Sequence, residues 1–102
     1  MTTIFADGDR FELRTDLVVE QVDDEVIVLD LAGNKYFGLN EVAWLIWQSI
    51  DGDGGETLKN LVAQIVESFG ISEAEARTDV EAFVEQLVEA GLAEYFAQES
   101  SG

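Results

Sequence analysis

The sequence predicts an α+β fold in which a three-stranded antiparallel sheet is followed by three helices. Three observations predict it. The stretches 17–22 and 25–31 are rich in β-branched residues and flank the turn pair Asp23-Asp24, as two antiparallel strands would. From residue 58 onward the apolar residues recur at helical spacing instead. The chain has 102 residues, 47% of them apolar, which suits one domain with one core and no second.

The elements follow in order. Residues 1–9 show no period and read as a flexible arm, and the domain is placed at 10–96. Arg10 to Arg14 alternates polar and apolar residues, the pattern of a short strand. After the first two strands of the meander, Gly33-Asn34 suits a two-residue hairpin loop, because both residues tolerate positive φ. Lys35 to Leu39 is then the third strand. Asn40 is a good N-cap for a helix over 41–50, which the Gly- and Asp-rich run 51–55 ends.

In the second helix Leu58, Leu61, Val62, Ile65, Val66 and Phe69 make one apolar stripe, closed by Gly70. Ser72 and Glu75 form a capping box for the third helix. Its apolar face holds Ala76, Val80, Phe83, Val84, Leu87 and Val88, and Gly91 ends it. Residues 92–96 pack back or add a short strand, and 97–102 read as a flexible tail.

Charge and missing residue types exclude several functions. The net charge is -17, from 22 acidic and 5 basic residues. Such a surface repels phosphates and anionic headgroups, so neither nucleic acid nor membrane is an expected partner, whereas a basic peptide would be steered toward it. No apolar run approaches the roughly 20 residues of a membrane span, and the N-terminus lacks a signal-peptide pattern, which predicts a cytoplasmic protein. There is no cysteine and no histidine. A thiolate metal site or a cysteine nucleophile is therefore impossible, and no carboxylate, Ser, Thr, Tyr or Lys pair stands in a catalytic spacing. The run Asp51 to Glu56 starts like a calcium loop, but its fifth position is Gly55 and its twelfth Val62. No catalytic residue, metal or cofactor is expected.

Two features point to a binding surface. Val42 to Trp47 is six consecutive apolar residues within a helix, which puts apolar groups all around it. Trp47 and Ile46 are expected in the core, and Trp44 less so. In a simple meander the third strand lies at the sheet edge, yet it carries only one charge, Lys35, beside Tyr36 and Phe37. An open edge of this kind either is covered by its own chain or accepts a partner's strand. The third helix would wall such a groove with Val80, Phe83 and Leu87, residues that equally suit the core.

Three strands followed by three helices would build a winged-helix-like domain, a scaffold usually associated with DNA; here its would-be recognition helix has Arg77 alone among many acids. Val28-Leu29-Asp30, Gly33 to Asn40, and Ala43 to Trp47 through Asp51-Gly52 resemble the PqqD-like family. Asp79-Val80, Phe83-Val84, Leu87 and Gly91-Leu92 resemble that family's last helix and its exit. The resemblance covers roughly residues 17 to 96. It implies a peptide chaperone, or RiPP recognition element, that binds the leader of a ribosomally made precursor as an added strand. Carried onto this chain, it implies main-chain pairing along Lys35, Tyr36, Phe37, Gly38 and Leu39. The helix wall it implies is Ala76, Asp79, Val80, Phe83, Gln86 and Leu87.

Within the family, the Leu-Asp-x-x-x-x-Lys-Tyr pattern looks more like the discrete recognition proteins of lasso-peptide pathways, which implies a leader peptidase, and a cyclase, as partners. The alternative resemblance, to the pyrroloquinoline quinone pathway, implies a radical-SAM enzyme. A structural interaction domain that dimerises through the same edge is the alternative outside the family.

Overall fold

The computed structural model describes residues 5–52 and 54–97. The expected meander forms from β2 (Val18–Val22), β3 (Glu25–Asp30) and β4 (Lys35–Leu39), in the order β2-β3-β4. β1 (Arg10–Leu13) is not part of it. It lies between β5 (Glu56–Thr57) and β6 (Ala93–Phe96) in a second three-stranded sheet. The single sheet predicted is thus corrected to two. The two short strands at 10–13 and 93–96 are legible as patterns, but their pairing joins residues eighty or more positions apart, for example Phe11 with Tyr95.

The helices are α1 (Glu41–Ile50), α2 (Leu58–Phe69) and α3 (Glu73–Glu89). Each begins on the side-chain cap its N-terminus requires. Asn40 Oδ1 accepts from the Ala43 N–H at 2.8 Å, Thr57 Oγ1 from Asn60 at 3.4 Å, and Ser72 Oγ from Glu75 at 3.1 Å. Gly70 closes α2 in the left-handed region at φ 65°.

One core joins these layers. Val26, Val28 and Leu39 of the meander, Ile46, Trp47 and Ile50 of α1, Leu58, Leu61 and Ile65 of α2, and Ala76, Val80, Val84 and Leu87 of α3 are all buried. Trp44 is half-buried and packs against this cluster. The opposite face of the meander leaves Val18, Val22 and Tyr36 exposed.

Packing starts earlier than the alternation predicts. Within the expected arm, residues 1–4 lie outside the described residues, but Phe5 is buried against Phe11 and Tyr95, with ring centroids 5.2 Å from each. The Leu58 N–H donates to Asp9 O at 2.9 Å, and Tyr95 donates its hydroxyl proton to Asp9 Oδ2 at 2.9 Å. The short apolar run Ile4-Phe5-Ala6 is too brief to show a period that a sequence reading could detect. Of the expected tail, only Ala97 is described.

The β3–β4 connection also departs from the expectation. It is a four-residue loop, Leu31 to Asn34, closed by the pair Asp30 and Lys35. Asn34 takes the positive φ, 56°, while Gly33 is required for close approach: a Cβ there would lie 2.6 Å from Asp30 Oδ2. Asp30 Oδ1 accepts from the Gly33 N–H at 3.0 Å.

The Arg14 guanidinium then reaches Asp30 with two nitrogens, at 3.1 and 3.2 Å, and Asp16 at 2.7 and 3.0 Å. Arg14 follows β1 directly and its N–H donates to Leu92 O. This fork therefore ties the hairpin that carries β4 to the second sheet. Among the described residues, no helix is long and apolar enough to cross a membrane.

Candidate functional site

Among the described residues, β4 has β3 on one side and no strand on the other. Which of its groups face outward follows from hairpin geometry. Val22 and Glu25 close a two-residue loop and so exchange hydrogen bonds, which assigns 25, 27 and 29 of β3 to β2 and leaves 26, 28 and 30 to β4. Their partners Lys35, Phe37 and Leu39 are then bonded inward, and the N–H and C=O groups of Tyr36 and Gly38 point to the open edge.

Beside that edge runs a groove of about 320 Å³. Gly38 and Asn40 form one side. Val42, Ala43 and Ile46 of α1 make the floor, and Asp79, Ala82, Phe83 and Gln86 of α3 form the far wall. The four α3 residues sit at i, i+3, i+4 and i+7, which is one stripe of a helix. Asp79, Ala82 and Gln86 are not buried, and Phe83 packs partly against the core.

The expected site residues divide accordingly. Asp79, Phe83 and Gln86 line the groove. Ala76, Val80 and Leu87 do not: Ala76 and Val80 have no exposed surface and Leu87 is buried, so the helix's apolar stripe is spent on the core and none of the three faces the groove. The wall is the neighbouring stripe of mixed polarity. On β4, Leu39 is buried and Phe37 packs against the core, whereas Tyr36 stands 76% exposed on the outer face, across from Leu29. Lys35 is exposed at the loop end of the strand. Of the five, only Tyr36 and Gly38 have main-chain groups open to a further strand.

Asn40, Val42, Ala43, Ile46 and Ala82 also line the groove, beyond the residues the sequence indicates. A signal for α1 is present in its all-round apolar character, since Ala43 and Ile46 serve core and groove at once. Ala82 carries none, because a small residue near glutamates on a helix reads as solvated surface.

None of the ion-paired side chains among the described residues lines the groove. The Arg14 fork holds the Asp30 and Asp16 carboxyls below the usual carboxylate range, with the Gly33 N–H adding to the effect on Asp30. Arg77 pairs with Asp7 at 2.6 Å and Glu81 at 3.6 Å. Asp79 is the one charged side chain on the groove wall, and among the described residues no ion pair or hydrogen bond engages its carboxylate.

Comparison with known proteins places this geometry. The family model described as coenzyme PQQ synthesis protein D (PqqD) matches residues 25–93, a span that includes β3, β4 and all three helices. TbiB1, solved in complex with the TbiA(beta) leader peptide, is similar over 85% of this chain and 99% of its own, with 26% identity and a TM-score of 0.72. A lasso peptide synthetase B1, solved with its leader peptide, is 29% identical over 83% of this chain and 98% of its own, with a TM-score of 0.70.

The PqqD truncation of Methylobacterium extorquens PqqCD, a stand-alone RiPP recognition element solved by NMR, shares the fold at 16% identity. It covers 90% of this chain and 96% of its own, with a TM-score of 0.71. A search of curated proteins returned no significant match. With a family model spanning two thirds of its length, this chain belongs to the PqqD family.

Proposed function

We propose that this chain binds the leader segment of a ribosomally synthesised precursor peptide and presents it to a leader peptidase in lasso-peptide biosynthesis. The leader pairs as a fourth strand with the open edge of β4 and lies in the groove against α3. The observation that carries this reading is the coincidence of the two features. An edge with outward Tyr36 and Gly38 groups faces directly onto an apolar-floored groove, so one extended peptide satisfies both. Two similar proteins solved with leader peptides support it.

The chain supplies recognition and leaves the chemistry to its enzyme partners, the peptidase and a cyclase, in the cytoplasm. The lasso assignment is favoured over a radical-SAM partner of quinone biosynthesis because the lasso peptide synthetase B1 is 29% identical, against 16% for the PqqD protein.

Isothermal titration with synthetic leaders from lasso and quinone-pathway precursors tests the reading. One-to-one, sub-micromolar binding of a lasso leader is expected. Binding only to a quinone-pathway leader would transfer the chain to the radical-SAM partner. No binding to any leader, together with a ligand-free dimer that persists on dilution, would replace the reading with an edge-to-edge interaction domain.

A further inference from the structure

Resting on the leader-binding reading, we propose that this groove selects leaders carrying a Lys or Arg that faces Asp79, two positions from an apolar residue seated on Ala82 and Phe83. The wall of the groove is otherwise neutral: glycine, asparagine, aliphatic residues, Phe83 and Gln86. A strand laid along it covers the Asp79 carboxylate and strips part of its water. That costs free energy unless the strand brings a donor in exchange.

The basic residues of this chain are placed elsewhere. Arg14 and Arg77 are held by other carboxylates, Arg10 reaches the Gly54 carbonyl, and neither Lys35 nor Lys59 lines the groove. The field of a molecule with net charge -17 makes a cation the favoured donor over a neutral hydroxyl or amide.

Spacing fixes where the apolar partner must be. Asp79 and Gln86 are seven residues apart on α3, about 10.5 Å along the axis, with Ala82 and Phe83 about 4.5 to 6 Å from Asp79. Side chains on one face of a strand recur every about 6.8 Å. A basic residue opposite Asp79 therefore puts the next inward-facing side chain over Ala82 and Phe83, where the floor of Ala43 and Ile46 and the partly buried ring accept an apolar group.

The test is selection from an mRNA-displayed library of random 20-residue peptides against the wild-type chain and against Asp79→Lys. Asp79 is exposed and makes no contact that the fold depends on, so the variant is expected to melt with the wild type. The wild-type pool should align on a Lys or Arg two positions from an apolar residue. The Asp79→Lys pool should keep the apolar residue and exchange the cation for Asp or Glu. For one wild-type-selected peptide, Asp79→Asn should weaken binding about three- to tenfold at low salt and less at high salt.

A wild-type pool that converges on apolar positions with no basic preference, or an Asp79→Lys pool that keeps the same basic residue, overturns this specificity while leaving strand addition standing. A wild-type selection that enriches no peptide overturns the leader-binding reading itself, and the specificity with it.

Discussion

Asp30 shows how a residue far from the groove sets its geometry. The carboxylate accepts two bonds from Arg14 and one from the Gly33 N–H, which anchors the β3–β4 hairpin to the second sheet. Its pKa is depressed chiefly by Arg14, so its contribution to stability is present above the unfolded value of about 3.9 and lost as pH falls through the lower folded value. Asp30→Asn should therefore lower the melting temperature at pH 7, and the gap from the wild type should close on acidification below about pH 4, as thermal melts across pH will record. Val80 and Ala82 separate core from groove on one helix. Val80→Ala should cost about 2 kcal/mol in denaturant unfolding and leave leader affinity unchanged once the folded fraction is allowed for. Ala82→Arg should unfold with the wild type yet bind the leader at least about tenfold more weakly by titration, because it fills the groove. At this scale the sequence is legible in part. A family resemblance identifies Asp79, Phe83 and Gln86, but it draws Ala76, Val80 and Leu87 into the same wall, since a residue type does not say which side of a helix the rest of the chain will cover.

Elements are easier to read than residues where their signals are local. The caps at Asn40 and Ser72, the stop at Gly70 and the stripe of α2 are written within a few residues of the feature they control, and they form, except that the stripe packs only from Leu58 to Val66 and leaves Phe69 exposed at the helix end. The pairing of β1 with β5 and β6 is not legible, because Phe11 meets Glu56 and Tyr95 across 45 and 84 positions of sequence. The hairpin loop is two residues longer than the Gly-Asn pair suggests, because Asp30 dictates its shape through the bond to Gly33. The alternation along β4 yields a test of the edge. Gly38→Pro removes an N–H that points outward, and a Cβ at this position would meet no neighbour within 4 Å, so the fold should lose about 1 kcal/mol or less. The leader should bind about five- to thirtyfold more weakly, the worth of one main-chain bond and the carbonyl it leaves unpaired. Phe37→Pro, one residue away, removes an inward bond to β3 and should destabilise the domain itself, which circular dichroism melts will distinguish.

At the scale of the whole molecule, the fold is a frame that holds the open edge of β4 beside a groove. The second sheet, the Phe5, Phe11 and Tyr95 cluster and the Arg14 fork fix the body on which the meander stands. α1 and α3 then leave a groove beside β4 and do not close over it. The large negative charge is readable from composition and argues against nucleic acid at once, but only the folded chain shows that, among the described residues, Asp79 is the one acidic side chain lining this groove. The decisive measurement is amide hydrogen exchange by NMR on the free protein and on the protein saturated with the leader that titrates tightest. The Tyr36 and Gly38 amides should pass from fast exchange to strong protection, while those of Val19 and Gln21, facing the opposite edge at β2, stay unchanged. Protection appearing at Val19 and Gln21, with Tyr36 and Gly38 still exchanging as in the free protein, would place the leader on the other edge of the sheet and contradict strand addition at β4.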